Sequence, residues 1–309
     1  MKIIDGFNRS NIHMEWSKNL KPVEYIDDNE TFKIKIPDSS TNQIKENFSD
    51  EDVKNINVSM LDAAVGPVYV NNADPGDTLK ITVKDINIGN FGWSQILHNF
   101  GLLAEDFQDE LIIWEINNSK IKSRRKNFLE NFSFDAEPFL GIIGTAPGSG
   151  NFPMIPPQKF GGNMDNKYLK KNSTLYLPVN VPGALISFAD PHALQGDGEV
   201  TGTAVETSCE AEIKIEVIKN IKTEYPKIIS YENENRAGKF VNTMGINNNI
   251  YDAAKIAVKE MIKTLEDRGF KKDEAYVLCS IIGNLKISEI VDVPNFVVTM
   301  SMPEYFKHL

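Results

Sequence analysis

The segment from Asp190 to Glu199 holds the densest group of side chains that could perform chemistry in this sequence. It contains one imidazole, His192, and three carboxylates, Asp190, Asp197 and Glu199. Carboxylate oxygens and an imidazole nitrogen suit a hard or borderline divalent cation, and a glutamate beside such a site can act as a general base. A polar surface hairpin with Asp-Gly turn chemistry explains the same residues without any chemistry.

A second polar segment, Gly161-Gly162-Asn163-Met164-Asp165, lies upstream. Its two glycines give the backbone unusual freedom, and Asn163 and Asp165 then offer an amide and a carboxylate. Taken alone, this segment is typical of a turn.

The glycine-rich stretch from Gly141 to Gly150 could be mistaken for a phosphate-binding loop. It lacks a Gly-Lys-Ser/Thr ending, no helix-like segment follows it, and Pro156-Pro157 comes soon afterwards. The P-loop and dinucleotide patterns therefore both fail. We predict a mobile loop or lid here and no nucleotide cofactor.

The candidate nucleophiles of the chain have poor surroundings. Cys209 begins a strand-like segment without a spaced histidine partner, and Ser187 and Ser208 lack a nucleophile elbow. His13 is a lone histidine, which is more often structural, and His308 is expected in a solvated tail. Covalent catalysis is therefore not the chemistry that this sequence favours.

The elements that must position these residues are mostly strands. Apolar residues alternate with polar ones at Phe32, Ile34 and Ile36, at Leu79, Ile81 and Val83, and at Ile213, Ile215 and Val217. A period of two is typical of half-buried antiparallel strands. Apolar runs at Ala184 to Phe188 and Val200 to Val205 predict strands on both sides of the Asp190 segment.

The C-terminal part has a different periodicity. Ile250, Ala254, Ala257, Met261 and Leu265 form one stripe of an α-helix that would extend from about residue 251 to 268. A short helix over 275–282 and a closing strand over 296–300 follow. We predict a mainly β protein with an antiparallel main body: residues 1–220 form a β-rich catalytic body, and residues 221–309 form an α+β lobe packed on it.

Composition excludes several classes of protein. The net charge of −10 disfavours nucleic-acid binding because phosphates would be repelled. No stretch approaches the ~20 apolar residues that a membrane span needs, and the N-terminus lacks an apolar signal-peptide core. The two cysteines do not form a CxxC pair. These features predict a cytoplasmic protein without nucleic-acid or membrane partners.

Several segments occur together, in an order that resembles the acetamidase/formamidase family. They are Gly66 to Val70 with Ala73 to Leu79, Gly101 to Phe107, Pro138 to Pro147, Gly161 to Asp165, Leu177 to Val179, and Asp190 to Glu199. The resemblance implies a β-sandwich-like main body with a smaller α+β C-terminal part, assembled into homo-oligomers. It also implies hydrolysis of short aliphatic amides to carboxylate and ammonia, with zinc or calcium as a possible cofactor.

In this interpretation Asp165, Asp190 and His192 hold the cation, which lowers the pKa of bound water, and Asp190 and His192 share the catalytic centre with Glu199. Glu199 takes the proton and returns it to the leaving nitrogen. Asn163 or Gln195 holds the amide substrate. The alternative is a catalytically inactive protein that binds a small molecule or a metal on the same scaffold.

The sequence departs from the family pattern at several places. Phe160 stands where the family often has histidine, and Ala189 stands where it has glycine. His98 occupies a proline position, and Leu61 to Val65 lack a histidine that the family tends to place before Gly66. These departures put the metal and the substrate in question more than the fold.

Overall fold

The computed structural model describes residues 1–233 and 236–304. The first strands in chain order are β1 (Ile3–Asp5), β2 (Ile12–His13), β3 (Glu15–Ser17), β4 (Glu24–Ile26), β5 (Thr31–Ile36), β6 (Ala64–Val70), β7 (Thr78–Ile88), β8 (Phe91–Ile96), β9 (Glu110–Asn117), β10 (Lys120–Ser123) and β11 (Phe134–Asp135). The remaining strands are β12 (Phe139–Gly144), β13 (Asn151–Pro153), β14 (Gly161–Asn163), β15 (Thr174–Pro178), β16 (Ile186–Leu194), β17 (Val205–Glu206), β18 (Cys209–Ile218), β19 (Lys227–Asn233), β20 (Arg236–Asn247), β21 (Asn284–Glu289) and β22 (Phe296–Pro303).

Two helices, α1 (Ile250–Glu266) and α2 (Lys272–Ile281), complete the α and β elements of the described residues, together with short 3₁₀ turns at Arg9–Asn11, Asp52–Asn55 and Val58–Met60. The chain is therefore mainly β, as the sequence predicts, and its helices lie near the C-terminal end.

Alternating apolar residues build the strands as predicted. Phe32, Ile34 and Ile36 of β5 are fully buried, whereas Thr31, Lys33 and Lys35 between them are partly exposed. One sheet runs in the order β1-β5-β18-β7-β15-β19-β20-β22-β21, and a second runs β11-β10-β9-β8-β17-β16-β12-β14, with β6 beside β16. Among the described strands, all pairs are antiparallel except β1 with β5 and β4 with β6.

The main core lies between these two sheets, and it contains residues of β5, β7, β15 and β18 from one sheet and of β6, β12 and β16 from the other. This packing of sheet on sheet makes the antiparallel sandwich. Strands after residue 220 continue the first sheet, since β19 pairs with β15. The division of the chain at residue 220 stays a prediction.

The predicted long helix is confirmed. Asn249 caps α1 by accepting hydrogen bonds from the backbone of Tyr251 and Asp252, and Gly269 follows the helix end with a φ of +96°. Its buried stripe packs with α2 on β20 and β22.

Two local predictions are wrong. Gly141 to Gly144 do not form a mobile loop, because they belong to β12, whose residues are all buried. Val200 to Val205 do not form a strand, since only Val205 and Glu206 pair in this stretch. His308 lies outside the described residues. No helix in the described part of the chain is long and apolar enough to cross a membrane.

Candidate active site

Neighbouring strands of the second sheet bring the polar residues together. In the sheet order β17-β16-β12-β14, Glu206 of β17 pairs directly with His192 of β16. On the other side of β16, β12 pairs with β14, which carries Asn163. Residues from distant parts of the sequence thus meet on adjacent strands. The first half of the Asp190 segment, through Leu194, belongs to the largely buried strand β16 instead of a surface hairpin.

Three of the carboxylates that the sequence predicts for the site lie on left-handed backbone. Asp190 has a φ of 55°, Asp165 of 38° and Glu199 of 45°. In a regular strand Asp190 would share a face with Ile186 and Phe188, which are buried in the main core. The left-handed residue breaks that alternation, and Asp190 faces a cavity instead. Such backbone is uncommon outside glycine and is often found at functional sites.

The Nε2 atom of His192 faces two acids. It lies 3.0 Å from Asp190 Oδ2 and 3.1 Å from Glu206 Oε2, while Glu199 Oε1 is 4.0 Å away. Ser39 Oγ donates a hydrogen bond to Glu206 Oε2, and the backbone N–H of Ala204 donates to Oε1. Glu206 is thereby held in place through both of its carboxylate oxygens.

Gln195 determines whether the other ring nitrogen of His192, Nδ1, carries a hydrogen. Its Nε2 donates to the backbone carbonyl of Asp165 at 2.8 Å, and because a carbonyl can only accept, the amide orientation is set. The Gln195 Oε1 atom must then accept from His192 Nδ1, which lies 2.8 Å away. The hydrogen is therefore on Nδ1, and Nε2 of a neutral His192 presents its lone pair to Asp190 and Glu206.

A cavity of about 220 Å³ opens beside these residues. Six of its lining residues are acids: Asp62, Asp165, Asp190, Glu199, Glu206 and Asp292. None of the described residues lining it is lysine or arginine. Two like charges 4 Å apart repel by about 4 kcal/mol at an effective dielectric constant near 20, so this cluster needs protons or a cation.

Burial is the main influence on these acids. It raises the pKa of Asp165, Glu199 and Asp292 well above the ordinary range, and the charge of a neighbouring carboxylate adds to the effect in each case. Burial likewise raises the pKa of Glu206 to about 7. A cation in the cavity would oppose these shifts.

His192 and Asp190 behave as a pair. Burial opposes the charge on each, but the negative charges of Asp190 and Glu206 outweigh it and raise the pKa of His192 well above its ordinary value. Burial would also raise the pKa of Asp190, but the attraction of His192 outweighs it, and the pKa is lowered. A positive charge between His192 and Asp190, from a proton or from a cation, is therefore favoured.

The donor atoms fit a divalent cation. Within the described residues, Asp190, His192 and Glu206 each offer a ligand atom within 4.8 Å of the others, and so do Asp165, His192 and Glu199. Three buried atoms have no hydrogen-bond partner among the residues that the structure describes: His192 Nε2, Asp165 Oδ1 and Asp190 Oδ1. Unpartnered buried polar atoms are costly, and a cation would satisfy them.

Glycine at position 141 keeps space for these oxygens. A Cβ at Gly141 would overlap Asp165 Oδ1 and lie 2.6 Å from Asp190 Oδ2. The two predicted ligands thus approach the same point, Asp190 from β16 and Asp165 from the segment that follows β14, with His192 as their common neighbour.

The sequence profile of the Acetamidase/Formamidase family matches residues 6–153 and 148–307 of this chain. The chain belongs to this family.

Individual members of the family are distant relatives. A protein of Schizosaccharomyces pombe named as a formamidase is 27% identical, over 70% of this chain and 66% of that protein, just under two thirds of its length. The formamidase of Methylophilus methylotrophus is 25% identical over 94% of this chain and 88% of its own. An acetamidase structure from Bacillus halodurans is 26% identical, covers 98% of both chains and has a TM-score of 0.88.

The departures from the acetamidase/formamidase pattern fall in different places. Phe160 and Ala189 pack in an apolar cluster with Trp16, and neither lines the cavity. His98 is exposed and its ring contacts the backbone of Phe107. Asp62, however, comes from the stretch where the family tends to place a histidine, and it lines the cavity.

The other sequence candidates lie elsewhere. Asp197 pairs with Lys167 at 2.9 Å, outside the cavity lining. Cys209 is buried in the main core. His13 Nε2 lies 2.7 Å from Ser187 Oγ. Among the described residues, none that lines the cavity forms a hydrogen bond with the side chain of either residue. His13 Nδ1 lies 2.8 Å from the carbonyl of Glu15, so the pair is a buried structural contact.

The sequence interpretation missed three lining acids, Asp62, Glu206 and Asp292. Glu206 directly follows an apolar run, and Asp292 stands between Val291 and Val293. A carboxylate flanked by apolar residues is a signal of burial that could have identified both, because charged residues are rarely buried unless they are paired.

Proposed function

We propose that this member of the acetamidase/formamidase family hydrolyses short aliphatic amides to carboxylate and ammonia in the acid-lined cavity. The observation that carries the proposal is the unpartnered Nε2 of His192 between Asp190 and Glu206. Family membership supplies the class of reaction, and the names of the relatives supply the class of substrate.

Asp190, His192 and Glu206 would hold a divalent cation, zinc or calcium, and Asp165 would offer a further oxygen from the side of Gly141. When bound, such a cation supplies Lewis-acid activation of water and of the amide carbonyl. The Gln195 amide fixes the ring of His192, and Ser39 fixes Glu206, so both donors are oriented before a cation arrives.

Glu199 moves the proton. Its carboxylate is buried in the cavity wall and is farther from His192 Nε2 than Asp190 and Glu206 are, at 4.0 Å. It therefore lies beside the three closely spaced donors Asp190, His192 and Glu206. It takes a proton from the attacking water and returns it to the leaving nitrogen, a step that contributes about 10²–10⁴-fold.

Asn163 binds the substrate amide through one edge. Its Nδ2 donates to Asp292 Oδ2 at 2.6 Å, whereas its buried Oδ1 has no hydrogen-bond partner among the described residues. An amide N–H of the substrate would satisfy this oxygen. Gln195, the other predicted substrate contact, already uses both ends of its amide within the protein.

We place the enzyme in the cytoplasm as a homo-oligomer. Cys209 and Cys279 are both free thiols, which suits a reducing compartment. Exposed apolar side chains on α2, Tyr276, Val277 and Ile281, offer a surface for self-association. Light scattering of the purified protein measures the number of subunits.

Ammonia release from formamide, acetamide, propionamide and butyramide tests the proposed function. The cation content of the same sample is measured alongside, and amide binding is followed by calorimetry. We expect turnover that requires a bound divalent cation. A cation-loaded protein that binds small amides and never releases ammonia would instead be a binding protein.

A further inference from the structure

The lining of the cavity has two chemically different parts. Besides the acids it contains apolar residues from separate segments, called here the apolar wall: Ile56 and Leu61, Leu97 and Phe100, and Ile155. We infer that this wall holds the acyl chain, that the preferred substrates are amides with an apolar acyl group longer than acetyl, and that Phe100 is a specificity-determining residue. This inference rests on the proposed function.

The orientation of the substrate follows from the cost of desolvation. An apolar chain placed against Asp165, Asp190 and Glu206 would strip water from carboxylates and give them no partner in return. The polar amide group satisfies them, directly or through the cation and water. The acyl chain therefore points towards the wall that carries Phe100 and Leu97.

Phe100 is held firmly at the wall. A Cβ at Gly202 would lie 2.5 Å from the Phe100 ring, and one at Gly101 would lie 2.7 Å from the carbonyl of Thr201. Both glycines have positive φ, +84° for Gly202 and +103° for Gly101. The backbone N–H of Leu102 donates to the carbonyl of Val200 at 2.9 Å. The loop that carries Phe100 is thus fastened to the segment that follows Glu199.

The size of the cavity exceeds the need of the smallest amides. Its volume of about 220 Å³ would hold on the order of seven water-sized groups, at about 30 Å³ each. Formamide or acetamide would leave much of this space to water. Propionamide or butyramide, together with the attacking water, would displace that water from the apolar wall and bury the chain.

Steady-state kinetics over the series from formamide to butyramide test the inference. For wild type we expect kcat/KM to rise from acetamide to butyramide by about fourfold for each methylene buried. In Phe100→Ala the ratio of kcat/KM for butyramide to that for formamide should fall about tenfold, the effect of losing roughly 50 Å² of apolar contact. Phe107→Ala is the matched control, because Phe107 is exposed on the same loop outside the cavity lining.

Leu61→Ala, in a different segment of the wall, provides a second variant, and a thermal melt of each variant checks its fold. A lowered butyramide-to-formamide ratio in Leu61→Ala supports the inference even where Phe100→Ala does not fold. Wild-type kcat/KM that is highest for formamide and declines with chain length overturns it, as does an unchanged ratio in both folded variants. If no amide yields ammonia, the proposed function itself fails, which is a different result from hydrolysis without chain preference.

Discussion

His192 and Glu206 face each other as a cross-strand pair, with Nε2 and Oε2 3.1 Å apart. Since Gln195 holds the hydrogen of His192 on Nδ1, a neutral ring and an ionised Glu206 have no hydrogen to share. Only a second proton or a cation makes this arrangement favourable. The same requirement extends to Asp190, at 3.0 Å from Nε2.

Filling the space at Gly141 should strongly weaken cation binding. The Gly141→Ala methyl would overlap Asp165 Oδ1 and crowd Asp190 Oδ2, so both oxygens must move. Substitution of residues that orient metal ligands typically lowers the metal affinity 10–100-fold. Because the ligands themselves are displaced here, we expect the affinity to fall by at least about 100-fold. Calorimetric titration with zinc and with calcium measures the cation affinity of each protein.

Gly148→Ala is the matched control for that substitution. A Cβ at Gly148 would have its nearest neighbour at 3.6 Å, an ordinary contact. Equal cation affinities for Gly141→Ala and Gly148→Ala would show that Asp165 and Asp190 are not ligands.

Removing the amide of Gln195 should release the ring of His192. Gln195→Met keeps the length of the side chain and loses both hydrogen bonds, to His192 Nδ1 and to the carbonyl of Asp165. We expect cation affinity to fall about 10–100-fold. Nitrogen NMR of the imidazole in the cation-loaded protein should show hydrogen on Nδ1 in wild type and a mixture of tautomers in the variant. Hydrogen on Nε2 and none on Nδ1 in the cation-loaded wild-type protein would contradict the assignment.

Much of the fold could be predicted because its signals are local. The alternation in β5, β7 and β18 and the stripe of α1 are visible in short windows of sequence. The Asp190 segment was harder, since the left-handed φ of Asp190 interrupts a buried strand that contains proline and histidine. Hydrophobic periodicity does not carry that information.

The candidate site could be predicted only in part, for a related reason. Asp165, Asp190, His192 and Glu199 form compact motifs, but Glu206 reaches the site through its pairing register with His192. Asp292 arrives from beyond α2, 129 residues after its partner Asn163. Contacts made by strand order in the sheet leave little trace in the sequence around either residue.

Glu199→Gln should separate proton transfer from binding. The amide keeps the size of the side chain and cannot act as a base. We expect kcat on the best amide to fall about 10²–10⁴-fold, while cation affinity and the melting temperature change little. Turnover within a few-fold of wild type would remove Glu199 from the mechanism. Loss of the cation along with activity would make Glu199 a ligand instead of a base.

His13 should make stability depend on pH. Burial lowers the pKa of His13 to about 4, whereas an unfolded histidine titrates near 6.5. Between these values the unfolded chain binds the extra proton, so stability is complete above pH 6.5 and is lost as the pH falls towards 4. The loss contributed by this residue between pH 7 and pH 4.5 should be about 2–3 kcal/mol.

Denaturant unfolding of wild type and His13→Gln at both pH values isolates that effect. The variant should be less stable at pH 7, because the bond from His13 Nδ1 to Glu15 is lost. Between pH 7 and pH 4.5 the difference should shift by about 2–3 kcal/mol in favour of the variant. His98→Gln, which removes an exposed imidazole, is the matched control variant. A difference that stays constant with pH would mean that His13 takes up its proton as readily in the folded protein as in the unfolded chain.

Ammonia release by metal-stripped protein, followed while a divalent cation is titrated back, tests amide hydrolysis at the His192 site most directly. We expect no turnover without cation, and turnover that rises with bound cation until the site is full. We expect Gly141→Ala to stay inactive at the same cation concentrations. Full ammonia release from a preparation that contains no metal, with Gly141→Ala as active as wild type, would contradict a cation-dependent amidase at this site.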